Sequence, residues 1–206
     1  MSIEHLSVLR QLELASASPR RRELLASLGL DVRVVPSAYD ERPIAGLDPR
    51  ALAIHHAAGK NRLAVTGSSA FVVAADTVVD VDGEALGKPV DEADARTMLR
   101  RLSGRAHRVH SAFALRAIAS GEMHEACVST TVVFADLSDT TITEYAASGD
   151  GLDKAGAYGI QGLGATLVER IEGDYFTVVG LPLTAFAQSL ARFGRRLSYM
   201  PEAVAR

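Results

Sequence analysis

Strand-like and helix-like segments alternate along nearly the whole chain, and this alternation most narrows the folds open to it. Residues 9–15, 32–36, 71–81, 109–117, 125–134 and 165–171 read as strands, and 18–28, 49–65, 91–102, 140–147 and 182–193 as helices. Asp82-Gly83 signals a hairpin turn, Ser120-Gly121 joins the two middle strands, and the glycine-rich stretch 149–164 reads as irregular. Interleaving of this kind predicts an α/β protein. The adjacent strands in the middle predict a mixed rather than a purely parallel sheet. No composition break marks a linker, so a single domain over 1–206 is expected, with a loosely held charged tail at 195–206.

With 48% hydrophobic residues, the 206-residue chain can bury one core, or one core divided by a cleft. Cys127 is the single cysteine, which excludes an internal disulfide framework and suits a reducing, cytoplasmic setting. The first ten residues include Glu4 and His5 without an apolar run, so no signal peptide is expected, and no stretch is apolar enough to span a membrane. A net charge of -3 gives no overall positive field for a nucleic-acid polymer. An anionic substrate must therefore be held by locally clustered basic residues.

The helix that opens at Ser18-Pro19 offers such a cluster. Ser18 suits an N-cap and Pro19 a first helical position. Arg20, Arg21 and Arg22 follow, where stability alone favours acidic residues, because the N-terminal end of a helix is electropositive. An anion between free amides and arginines resolves the conflict. We read Arg20 and Arg21 as phosphate ligands, Arg22 as solvated, and Ser16 and Ser18 as further donors, Ser18 also serving as a cap.

The strand over 71–81 carries a lone carboxylate, Asp76, among apolar neighbours. An unpaired buried carboxylate is costly, so it should face a cation or metal, or act as a tuned base. Asp80 and Asp82 read as turn residues. Lys88 is a phosphate candidate, although the segment 83–89 lacks the spacing and the Ser or Thr of a P-loop. Lys60 reads from the sequence alone as a solvated helix lysine. Glu41 lies in a polar loop over 37–47 with the breakers Pro43 and Gly46. Together Asp76 and Glu41 would suffice for Mg²⁺, which takes one or two carboxylates plus phosphate oxygens and waters. His107 and His110 lack further zinc ligands nearby, and His55-His56 reads as surface. In the glycine-rich stretch, the Gln161 amide is suited to reading a base edge.

Taken together, the segments at 14–25 (LASASPRRRELL), 74–79 (AADTVV), 87–89 (GKP), 103–109 (SGRAHRV), 153–162 (DKAGAYGIQG) and 178–183 (VVGLPL) resemble the Maf family, whose members share a fold with inosine triphosphate pyrophosphatases. The resemblance implies a central, strongly twisted mixed sheet flanked by helices, with a cleft between two lobes, in a homodimer. It implies hydrolysis of a nucleoside triphosphate to the monophosphate and pyrophosphate, with Mg²⁺ or Mn²⁺. The family's catalytic acid matches Asp76, and its other site residues match Ser16, Arg20, Arg21, Glu41, Lys60, Lys88 and Gln161. Arg21, Thr77 and Gln161 are similar to the branch acting on dTTP and UTP. The alternatives are the same chemistry on 7-methyl-GTP, or a nucleotide-binding regulator of cell division without turnover. Asn61, Ser111, Asp174 and Phe176 depart from the residues usual in the family.

Overall fold

The computed structural model describes residues 6–42 and 44–199. The expectations for 1–5, for Pro43 and for the tail from 200 onward lie outside the described residues. The strands are β1 (Ser7–Val8), β2 (Gln11–Leu14), β3 (Asp31–Val34), β4 (Phe71–Val81), β5 (Glu84–Leu86), β6 (Ala106–Ala117), β7 (Met123–Phe134), β8 (Val168–Glu172) and β9 (Arg195–Arg196). The helices are α1 (Pro19–Ser27), α2 (Pro49–Arg62), α3 (Glu92–Leu102), α4 (Asp139–Ala147), α5 (Tyr175–Val179) and α6 (Leu183–Leu190).

The main sheet runs β3-β2-β4-β6-β7-β8, with β5 also paired to β4. β2 is parallel to β3 and β4, whereas β4, β6, β7 and β8 pair antiparallel, so the chain is an α/β protein on a mixed sheet. The β4–β6 ladder runs without a break from Phe71↔Ala117 to Asp80↔Arg108.

Several boundaries differ from the sequence reading. β6 starts at Ala106 rather than 109, which draws His107 into the sheet beside His110. Helix α2 stops at Arg62 because the Val65 amide is taken by Pro36 O at 2.9 Å, and Ala64 bridges to Ser37. Residues 162–167 form 3-10 turns before β8, so that strand starts later than expected. Helix α5 is an addition to the sequence reading; it is capped by the Asp174 carboxylate, which accepts the Thr177 amide at 2.7 Å. Arg195 and Arg196, expected in a loose tail, pair in parallel with Ser7 and Val8.

Strand β4 organises the interior through its two-residue alternation. On one face Val73 and Ala75 join a cluster with Leu14, Leu25, Phe113 and Phe186, while Val79 and Val81 join a second with Leu99, Leu102 and Phe134. Thr77 sits on that face in the gap between the clusters. On the opposite face, helix α2 packs Ala53 and Ala57 against Val78 and Ala112. Asp76 points to this α2 side, so β4 sends one polar group to each face at the same level.

The second cluster contains a neutral histidine. His107 is 4% exposed, its Nε2 shares a 2.7 Å hydrogen bond with the Tyr158 hydroxyl, and its buried Nδ1 has no hydrogen-bond partner among the described residues. Burial pushes its pKa down from 6.5 to about 4. The unfolded chain therefore takes up this proton first as pH falls. Stability present above pH 6.5 drains as pH drops toward 4, by about 3 kcal/mol in all. Denaturant melts from pH 7 to 4 should show this slope, and His107→Phe should flatten it.

Candidate active site

The α1 tip follows the end of β2, so its free amides emerge where the sheet meets the cleft. Ser18 starts the helix but its side chain makes no capping bond, contrary to its expected capping role. Instead the Ser16 hydroxyl accepts from the Ser18 amide at 3.3 Å and from Arg21 Nη1 at 3.0 Å. Arg21 is buried and also donates Nε to Gly180 O at 2.9 Å and Nη2 to Thr77 Oγ1 at 3.0 Å. Those bonds offset the cost of burying a guanidinium. Burial pulls the Arg21 pKa below its ordinary value, opposed by the nearby charges of Asp76 and Glu41.

Thr77 is likewise engaged inside the protein. Its hydroxyl lies 2.6 Å from Ser111 Oγ, which donates to Thr177 O at 2.8 Å. The chain Arg21–Thr77–Ser111–Thr177 gives Ser111, a departure from the family pattern, a place in the structure: it ties β4 and β6 to α5. Arg20, more open, pairs with Asp153 at 3.3 Å. Arg22 is exposed, as expected.

Behind the tip lies a buried ion pair with a second, half-exposed carboxylate on its cation. Lys60 Nζ donates to Asp76 Oδ1 at 2.7 Å and pairs with Glu41 Oε1 at 2.8 Å. Lys60 is 8% exposed and Asp76 6%, so the solvated lysine read from the sequence is corrected here. The docking of α2 explains the difference. Asn61, next in sequence and fully buried, donates its amide to Val72 O at 3.0 Å and Ala114 O at 2.7 Å, and accepts from Arg116 Nε at 2.8 Å. This bolts the last turn of α2 to the sheet and delivers Lys60 to Asp76. Burial alone would raise the Glu41 pKa, but the hydrogen bond and charge of Lys60, with Lys88 and Arg21, hold it below the ordinary carboxylate value.

One cleft of about 1250 Å³ is lined by Ser16, Ser18, Arg20, Arg21, Glu41, Lys60, Asp76, Thr77, Lys88 and Gln161. The structure thus brings all the singled-out residues to one cavity, large enough for a nucleotide-sized ligand. Gln161 and Lys88 reach it from exposed positions. The stretch carrying Gln161 folds back on itself: a Cβ at Gly164 would run into Gly159 O and come within 2.7 Å of the Tyr145 hydroxyl. That hydroxyl donates to Asp150 at 2.7 Å and accepts the Gly159 amide at 3.3 Å, pinning the loop.

Sequence reasoning missed Tyr39 and His56, which also line the cleft. His56 is 6% exposed rather than on the surface, and burial holds its pKa below 6.5. His110 is buried too, bonded to Ser129 at 2.7 Å and Asp80 at 3.0 Å across three strands. Asp80 also accepts the Gly83 amide at 2.8 Å, so it serves the turn as expected.

A buried carboxylate beside a cluster of cations in a nucleotide-sized cleft defines a protein that holds a polyanion against an acid. The chain belongs to the Maf-like protein family, whose model matches residues 11–193. It is 52% identical over 180 residues to the dTTP/UTP pyrophosphatase of Thermus thermophilus, covering 87% of this chain and 93% of that one. It is 50% identical over 186 residues to the dTTP/UTP pyrophosphatase of Anaeromyxobacter dehalogenans, covering 89% and 94%. A solved dITP/XTP pyrophosphatase from Mycobacterium abscessus aligns over 89% of this chain and 94% of its own at 18% identity, with a TM-score of 0.43.

Proposed function

We propose that this chain is a nucleoside triphosphate pyrophosphatase that hydrolyses the α–β phosphoanhydride of dTTP and UTP, giving the monophosphate and pyrophosphate. The observation that carries this reading is the Asp76–Lys60–Glu41 cluster sharing one cleft with the arginine-bearing tip of α1. The relatives named dTTP/UTP pyrophosphatase, at 52% and 50% identity over most of the chain, support the choice of nucleotide.

The residues divide the work as follows. The α1 amides, Ser16, Ser18, Arg20, Arg21 and Lys88 hold the triphosphate and offset the charge of the leaving pyrophosphate. Asp76 uses one oxygen on Lys60; the other has no hydrogen-bond partner among the described residues and accepts the proton of the attacking water. Thr77 fixes the Arg21 fork, and Gln161 reads the base edge.

Glu41 and Asp76 fit a divalent cation: two carboxylates from different elements converge on one cationic nitrogen, which stands in for the ion. No group of three or more potential ligands of the His, Cys, Asp or Glu kind occurs among the described residues, so phosphate oxygens and waters would complete the shell. When bound, Mg²⁺ or Mn²⁺ supplies charge to the phosphate oxygens and makes the attacking water more acidic. The same reading takes the chain as a cytoplasmic homodimer without a nucleic-acid or membrane partner. The net charge of -3 supports the lack of a nucleic-acid polymer and the lone cysteine the reducing compartment; among the described residues no helix is long and apolar enough to cross a membrane.

A panel of dTTP, UTP, dATP, GTP and 7-methyl-GTP, with and without Mg²⁺, tests the reading. Release of pyrophosphate from dTTP and UTP should exceed that from 7-methyl-GTP by about tenfold or more, a margin that hydrogen-bond readout of a base can supply. Orthophosphate as the product would overturn the bond assignment, and binding without turnover would favour the regulator.

A further inference from the structure

We propose that Tyr39 is a positioning residue that sets Glu41 against Lys60 and Asp76, through a clamp onto helix α2 that Gly59 makes room for. The inference rests on the reading of Glu41 and Asp76 as the metal-holding pair.

Glu41 has little to hold it in place. Its side chain is 52% exposed, and the ion pair with Lys60 orients it. The loop leading to it, by contrast, is stitched to the last turns of α2. Ser37 Oγ donates to Lys60 O at 2.9 Å, and the Tyr39 amide donates to Ser37 Oγ at 3.3 Å. The Ala38 amide reaches Leu63 O at 3.3 Å. The final stitch is the Tyr39 hydroxyl, 2.8 Å from His56 Nδ1. Two residues later the chain delivers Glu41, so Tyr39 is the last side-chain anchor before it.

The ring is seated as firmly as the hydroxyl. It packs edge-on against His56 with centroids 5.6 Å apart, and lies on the backbone of Gly59. A Cβ at position 59 would come within 2.6 Å of both Cδ2 and Cζ of the Tyr39 ring. Glycine is otherwise unfavourable inside a helix, by roughly 0.8–1 kcal/mol against alanine. Here its lack of a side chain lets an aromatic ring lie against the helix. His56 and Lys60 are four residues apart, so one face of α2 presents both the clamp and the cation that Glu41 meets. His56 is buried, so the hydrogen bond is shielded from competing water.

The experiment measures Mn²⁺ alone, binding to the full chain, by loss of the free-ion electron paramagnetic resonance signal. The set is wild type, Tyr39→Phe, His56→Leu, the double variant and Glu41→Gln, with thermal melts and steady-state kinetics on dTTP alongside. Tyr39→Phe should weaken Mn²⁺ binding about tenfold, the scale typical of groups that orient metal ligands. It should lower kcat, leave KM within about twofold, and shift the melting midpoint little, since only a hydroxyl is lost. The double variant should be no weaker than either single, because both remove the same bond. Gly59→Ala, which keeps the hydroxyl but displaces the ring, should reproduce the loss of Mn²⁺. Wild-type Mn²⁺ affinity in Tyr39→Phe, with Glu41→Gln weakened, would overturn the clamp and leave the carboxylate pair standing. Wild-type affinity in Glu41→Gln would overturn the pair, and the clamp with it.

Discussion

Asp76→Asn should stop pyrophosphate release while leaving the protein folded. The substitution keeps the size of the side chain and its place on β4, but the amide cannot take a proton from water. General-base contributions of this kind are worth on the order of 10²–10⁴-fold, so turnover of dTTP should fall by at least about 10³-fold if the acid also anchors the metal. The substituted side chain would still present a carbonyl oxygen to Lys60, whose ammonium now sits 2.7 Å from Asp76 Oδ1. Circular dichroism should therefore change little, and the melting midpoint should fall less than in Lys60→Met, because Glu41 still faces the Lys60 ammonium at 2.8 Å. Binding of dTTP, followed by calorimetry, should persist through the phosphate ligands. Pyrophosphate release at even a tenth of the wild-type rate would sink the assignment.

Lys60→Met should be the most destabilising single change in the site. Removing one partner of a buried ion pair costs roughly 3–5 kcal/mol, because the other charge is left without compensation. Asp76 is 6% exposed and would face that loss directly. The double variant Lys60→Met with Asp76→Asn removes both charges, so it should recover most of the stability. Two variants that are each inactive but differ in stability, and a double that is more stable than Lys60→Met alone, give a coupling of several kcal/mol in a double-mutant cycle. Urea melts of the four proteins check it. If Lys60→Met matches wild type within about 0.5 kcal/mol, the ion pair contributes nothing to the fold.

The contrast between Asp76 and Lys60 shows what the sequence discloses and what it withholds. Asp76 is legible because a charge inside an apolar strand breaks a local rule. Lys60 breaks none: a lysine near a helix C-terminus is ordinary, and its burial depends on the docking of α2. That docking is set by Asn61 reaching carbonyls on β4 and β6, a contact between residues 11 and 53 positions apart. Tyr39 and His56 are hidden for the same reason. Helix α5 and the β1–β9 pair escape because five- and two-residue elements carry no periodicity to read.

Glu13 shows why the local rule needs company. It lies on β2, is fully buried, and is also a carboxylate in a strand. Its oxygens accept the Gly67 amide at 3.0 and 2.9 Å and the Ser69 amide at 3.4 Å. It is a brace for the loop that precedes β4. What separates Asp76 from Glu13 is a cation hydrogen-bonded to it, a second carboxylate on that cation and an open cavity beside it, and those belong to the fold rather than to the strand.

The ion pairs across the cleft have a consequence for selectivity. Arg20 already leans on Asp153, and Lys60 on Asp76 and Glu41. An anion that reaches Arg20 or Lys60 must therefore trade places with a resident counterion, whereas Arg21 and Lys88 have no carboxylate within ion-pair distance among the described residues. A single phosphate carries too little charge to repay several such exchanges at once, whereas a chain of three phosphates spans them together. On the proposed function, a triphosphate long enough to reach both Arg20 and Lys60 makes both exchanges at once, so the length of the phosphate chain becomes a second criterion beside the base.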